Sequence, residues 1–225
     1  MKKMRFIAIV LICVCLLGCI AVAAVASVRQ DSSFILGEFF KKANDTEKNI
    51  PASSLDTIVA QYGNHKITKN TLEYYRNVNS LTTNNQPALS DKEIIDQLLK
   101  NIILLEEAEK LGLSATSDEI EDMVQSNIQA YETSDGKEFI DSYCHGAGIT
   151  VEEYFALIRD QIPEVIARQK LKDSLGRAYC EEHGYEFTKV NPPAGMQEYI
   201  DQYVNYLFDL HQDEITYFLH SGESS

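Results

Sequence analysis

The chain has 225 residues, with 34 acidic against 20 basic side chains for a net charge of −14, 44% apolar residues, 11 glycines, 5 prolines and no tryptophan. A surface this acidic, with no basic stripe to offset it, repels phosphate backbones and sets nucleic-acid binding aside. The near-average apolar and charged content sets aside a disordered or collagen-like chain, and the low glycine and proline content favours helices over a turn-rich β sandwich.

At the N-terminus, residues 1–5 carry Lys2, Lys3 and Arg5, and residues 6–28 form an uncharged, strongly apolar run. As a helix that run spans about 34 Å at ~1.5 Å per residue, enough for a hydrocarbon core of ~30 Å. The basic flank keeps the N-terminus cytoplasmic and sends the acidic bulk outward. Residues 1–28 therefore read as a signal anchor, a transmembrane helix. Two cleaved alternatives stand beside it. Ala24-Val25-Ala26 forms an A-x-A signal-peptidase site before Ser27, and Leu16-Leu17-Gly18-Cys19 is similar to a bacterial lipobox, which makes Cys19 the lipidated N-terminus. All three place the bulk of the chain on the extracytoplasmic side of the cell membrane, single-pass or lipid-anchored. Cys13, Cys15 and Cys19 lie inside the run. The remaining two, Cys144 and Cys180, either form one disulfide in an oxidising compartment or stay as separate thiols.

Residues 29–54 are polar and mixed, with Phe34, Ile35, Leu36, Phe39 and Phe40 as one apolar cluster, and read as a juxtamembrane stalk holding one helical turn. Thr57-Ile58-Val59-Ala60-Gln61-Tyr62 is β-prone, Gly63-Asn64 supplies a turn, and Lys66-Ile67-Thr68 pairs back as a hairpin, the one strand signal in the chain. Thr68 or Asn70 caps a helix through about residue 81, and residues 82–89 form a loop. Ser90 and Glu93 form a capping box ahead of a helix whose apolar residues, Ile94 to Leu111, fill more than one face, so it is expected at the bundle centre, with Gly112 ending it. Thr116 and Glu119 open the next helix, through about residue 131, with Ile120, Val124 and Ile128 as its stripe. A turn over 133–137 leads to a short helix over 137–145, stopped by Gly146 and Gly148. Thr150 and Glu153 open a helix that meets Pro163, where a kink or short break is expected, and that resumes to about residue 182. Residues 189–196, with Pro192-Pro193, form a stiff linker before a last long helix over 197–219, which leaves 220–225 as a tail.

Several of these stretches carry a joint pattern. Val59-Ala60-Gln61-Tyr62-Gly63-Asn64-His65-Lys66-Ile67-Thr68 follows a V-x-V-N-G-x-x-I-T hairpin, with Asn and Gly exchanged. Leu98 and Leu99 lead into Leu105-Glu106-Glu107-Ala108-Glu109-Lys110-Leu111-Gly112, which follows L-x₅₋₆-L-x-x-E-A-x-K-x-G. Asp118, Glu119 and Glu121 come at the matching interval, and Gly148-Ile149-Thr150-Val151-Glu152-Glu153-Tyr154 follows G-x-T-x-E-E-[YF]. Four such pieces in order, from residue 58 to about 175, resemble the N-terminal chaperone domain of the SurA/PrsA group, relatives of the trigger-factor arm. The resemblance implies a mainly α fold, an irregular helical bundle with one small β-hairpin at its start, occupying residues 55–219, with 197–219 as the helix that returns to the body. Many members insert a parvulin prolyl-isomerase domain before that returning helix. Here residues 177–196 are too few for a domain, so the resemblance implies the chaperone module without the isomerase.

Reactive constellations are scarce. Cys144-His145 and Cys180…His183 make a formal zinc set, but adjacent helical residues point ~100° apart and do not converge on one metal. No nucleophile elbow, phosphate loop or HExxH occurs, so no catalytic residue, metal or cofactor is expected. Acidic pairs such as Asp118/Glu119 and Glu152/Glu153 serve first helical turns. Twelve tyrosines supply amphipathic area. Tyr199, Tyr203 and Tyr206 recur at helical spacing, and with Tyr154, Phe155 and Ile158 they are the candidates for contact with extended apolar segments, or else bundle core with hydroxyls at its rim. The expected function is a membrane-tethered holdase for unfolded exported polypeptides, with a homodimer left open. The rival is an envelope scaffold with one fixed partner, and a degenerate isomerase subunit is less favoured.

Overall fold

The computed structural model describes residues 30–49, 58–82 and 88–218. In chain order they form α1 (Gln30–Asn49), β1 (Ile58–Tyr62), β2 (His65–Thr68), α2 (Lys69–Thr82), α3 (Asp91–Lys110), α4 (Ser117–Tyr131), α5 (Ser134–Ala147), α6 (Val151–His183), α7 (Met196–Leu210), a single 3-10 turn (Gln212–Glu214) and β3 (Ile215–Tyr217). The fold is mainly helical with a small sheet, as the sequence predicts. Among the described residues no helix is long and apolar enough to cross a membrane. The anchor expected at residues 1–28, its cleavage sites and Cys19 lie outside the described residues.

The helix starts are built as the capping boxes specify. The Ser90, Thr116 and Thr150 hydroxyls accept from the amides of Glu93, Glu119 and Glu153, whose carboxylates reach back to the cap amides at 2.7–2.8 Å. The Ser90 hydroxyl and amide together hold the Glu93 carboxyl below its ordinary range. At the far end of α3, Gly112 turns left-handed at φ 73°, and Leu113 N–H donates to Ala108 C=O at 2.9 Å, closing the helix with a Schellman motif.

α3 lies at the centre and packs on α2, α6 and α7. Its residues Ile94, Ile95, Leu98, Leu99, Ile102, Ile103, Leu104 and Ala108 are all buried, so the helix is covered on more than one side, as its all-round apolarity requires. α6 runs unbroken for 33 residues, about 50 Å, with Pro163 inside it. Of the kink or short break expected there, the break does not occur. Gln161, Ile162, Val165 and Ile166 are buried on both sides of the proline, and that packing outweighs the single ladder bond lost there.

Three elements differ from expectation. The turn foreseen in the stalk is the 20-residue helix α1, with Ser33, Leu36, Phe40 and Ala43 buried along one stripe against α5 and α2. α5 is longer than foreseen, because the Thr133 hydroxyl caps it through the Gly136 amide and because it passes through Gly146 to end on Gly148 at φ 66°. Gly146 is therefore a contact point, not a stop: a Cβ there would collide with the Phe34 carbonyl of α1, and one on Gly37 would collide with the Tyr143 carbonyl of α5. Two glycines facing each other let the backbones of α1 and α5 touch.

The third difference is at the C-terminus. The last helix stops at Leu210, and the chain continues into β3, which pairs antiparallel with β1 (Tyr62 opposite Ile215, Ala60 opposite Tyr217) to give a sheet of order β2-β1-β3. Ile215-Thr216-Tyr217 is β-branched and aromatic, a short strand signal that the longer helical reading overran. Tyrosines fasten the sheet to α3. Tyr62 donates to Glu106 at 2.9 Å, and burial together with that carboxylate raises its phenol pKa. Tyr217 donates to Asp96 at 2.7 Å, and burial and Asp96 push its phenol up to about 12. A phenol raised in the folded state stabilises fully below its unfolded pKa near ~10 and loses that contribution as pH climbs toward the folded value. Tyr217→Phe is expected to lower stability by about 1 kcal/mol, a Tm drop of about 3 °C. In the parent, melting curves between pH 10 and 12 should show the extra loss that the variant lacks.

Candidate functional site

The six expected contact residues fall into two groups. Tyr154 and Ile158 are buried in the core at the start of α6, where the Tyr154 ring meets Tyr143 at 5.6 Å and Phe155 at 5.4 Å edge-on. Phe155 is half-buried against Tyr131 at 5.7 Å. The four rings of Tyr131, Tyr143, Tyr154 and Phe155 fill the junction of α4, α5 and α6 and present little free surface. Tyr199, Tyr203 and Tyr206 lie along one flank of α7, beside the buried stripe of Met196, Ile200, Leu207 and Phe208. Tyr199 and Tyr203 are half-buried, and Tyr206 is 57% exposed. The Tyr199 ring sits 5.5 Å from Tyr179, which on α6 is 25 residues from Tyr154, about 37 Å along the axis. The two groups do not form one surface.

Cys144 and Cys180 are both free and buried, so the bridge left open by the sequence does not form. They belong to different apolar clusters: Cys144 to the main core, and Cys180 to a small one with Met196 and Ile200. Burial raises the Cys144 thiol to about 11 and leaves it a packing residue. Among the described residues no group of three or more His, Cys, Asp or Glu is placed to hold a metal.

Away from both groups, an open groove of about 630 Å³ lies between α4 and α6. Met123, Ser126 and Ala130 recur at i, i+3 and i+7 along one face of α4, with Asp122 and Asn127 beside them. Ile166, Gln169, Lys170 and Asp173 recur at i, i+3, i+4 and i+7 along one face of α6. Spacing of this kind lays two walls facing each other. Ile166, Met123 and Ala130 make the apolar floor, and the small side chains at 126 and 130 leave the space open.

Ion pairs hold the walls apart at a fixed distance. Lys170 bonds Glu119 at 2.6 Å and the Ser114 carbonyl at 3.0 Å, and Arg159 bonds Glu121. Lys170 and the Thr116 cap amide hold the Glu119 carboxyl below its usual range. At one end, Lys189 of the linker pairs with Asp173. The groove contains no histidine or cysteine, and its one hydroxyl, Ser126, donates to the Asp122 carbonyl at 2.8 Å. Glu119 and Glu121 were noted in the sequence only as a helix start and part of the joint pattern, and the other groove residues did not stand out, because the stripe that attracts notice on α4 is Ile120, Val124 and Ile128, the one turned toward the core.

Comparison with family models finds a match to the SurA-like N-terminal domain over residues 1–171, with no parvulin domain shown. The match takes in α1, which precedes the stretch whose motifs carry the resemblance. Comparison with curated proteins finds no match, and comparison with solved structures finds none either. Covering three quarters of the chain, the match means that this protein belongs to the family of SurA-like N-terminal domains, the non-catalytic, chaperone-type peptide-binding part of such proteins.

Proposed function

We propose that the protein is a holdase that shields unfolded segments of exported polypeptides, with the α4–α6 groove as the client site and residues 1–28 as the membrane tether. The observation that carries this reading is the groove itself: an open hollow of about 630 Å³ with an apolar floor and no reactive group, in a chain of the SurA-like family. Burial at about 25 cal/mol per Å² of apolar area is weak and non-directional, which suits many sequences and fast release. A tether at the membrane would keep the groove concentrated where clients emerge.

The test is suppression of aggregation. Full-length protein is expected to slow the aggregation of several unrelated unfolding proteins. Ser126→Trp, which fills the groove from an exposed position, should raise the concentration giving half-protection about tenfold while leaving the helical circular dichroism unchanged. If no client is protected while a single envelope protein co-purifies in fixed ratio, the chain is a scaffold and the holdase reading is wrong. Intact mass of the mature chain distinguishes retained anchor, cleavage after Ala26 and lipidation of Cys19.

A further inference from the structure

We infer that the α4–α6 groove selects extended apolar segments that carry lysine or arginine, an inference that rests on the groove being the client site. The groove's charge is unequal in what it leaves open. Both lysines that line it are already engaged, Lys170 with Glu119 and Lys189 with Asp173, whereas the exposed carboxylate of Asp122 holds no ion pair among the described residues. An incoming cation finds Asp122 ready; an incoming anion finds no cation without first breaking an ion pair. The chain's net charge of −14 adds attraction at longer range.

The protein's own linker displays the same chemistry at one end of the groove. After Gly184 the chain leaves the helix and folds back along α6. Phe187 packs over Gly176, where a Cβ would come within 2.8 Å of the ring, and the Arg177 guanidinium lies 4.4 Å from its centroid. Two residues on, Lys189 seats its ammonium on Asp173 in the groove wall. A lysine in non-helical backbone, two residues after an aromatic packed outside the groove, thus already sits on its α6 side. A client of the same kind would continue that pattern along the apolar floor, with its cation on Asp122.

Two fluorescein-labelled nonapeptides with one core of leucine, phenylalanine and alanine, flanked by lysines in one and glutamates in the other, test this by anisotropy titration against the full-length chain. The lysine peptide is expected to bind about tenfold tighter at 50 mM NaCl, with the difference falling to about twofold at 500 mM through screening. Asp122→Asn should remove about threefold of the preference, and Ser126→Trp should weaken both peptides. Equal affinities at low salt, both reduced by Ser126→Trp, overturn the selectivity and leave the groove as client site. A lysine preference that Asp122→Asn leaves intact overturns it too, since the preference then belongs to the net charge. If Ser126→Trp changes neither peptide, the groove is not the client site and the reading beneath this one fails.

Discussion

Gly146→Leu is expected to destabilise the protein by about 3 kcal/mol, lowering Tm by about 6–12 °C. Replacing a helical glycine ordinarily gains a few tenths to 1 kcal/mol, because the unfolded chain loses freedom. Here the sign reverses. The new Cβ would meet the Phe34 carbonyl of α1, a backbone atom that cannot swing aside as a side chain would, and the Glu38 amide lies nearby. α1 would have to move away from α5, exposing Leu36 and Phe40. Glu38→Ala, on the exposed side of the same helix, should change Tm by less than about 2 °C. Gly37 sits on the other side of this contact, so Gly37→Ala and Gly146→Ala combined should cost less than their sum, the second adding little once the helices have parted. A Gly146→Leu protein that melts with the parent would mean that α1 is not docked in solution.

The second large effect belongs to the centre of the bundle. Leu99 is fully buried on α3, and Leu99→Ala should cost about 3–4 kcal/mol, part lost transfer energy and part the cavity left behind. Leu111, one residue past the end of the same helix, is 52% exposed, and Leu111→Ala should fall within about 0.5 kcal/mol of the parent. Urea denaturation with unchanged slope would read both differences directly. Equal costs at the two positions would remove α3 from the core.

What could be read in advance follows from the range of the interactions involved. Capping boxes are local, three residues apart, and the starts of α3, α4 and α6 stand where Ser90, Thr116 and Thr150 place them. Leu99 was legible as core because nine apolar side chains crowd one helix. Gly146 was misread because a glycine near a helix end looks like a stop, and its use depends on Gly37, more than a hundred residues earlier in the chain. The short break allowed for at Pro163 is absent for the same kind of reason, since neighbours in space decide whether its missing hydrogen bond ends the helix. The groove was illegible because it is an absence of bulk: Ser126 and Ala130 are unremarkable until α6 is set opposite them. Tyr154 and Ile158 were drawn into the candidate list by their apolarity, and apolarity equally puts a residue in the core, where they lie.

β3 carries a consequence for the order in which the protein matures. It joins β1 across more than 150 positions of chain, Tyr62 facing Ile215, and so remote a pairing is slow to form because the loop it closes is long. A ribosome feeding the chain out from its N-terminus delivers β1 and β2 about 150 residues before β3. Until then β1 keeps an unsatisfied flank, and Tyr217 cannot reach Asp96. Emergence of residues 215–217 is thus the event that seals the sheet, and a polypeptide cut short before residue 215 would be left with a bare strand edge for proteases to find.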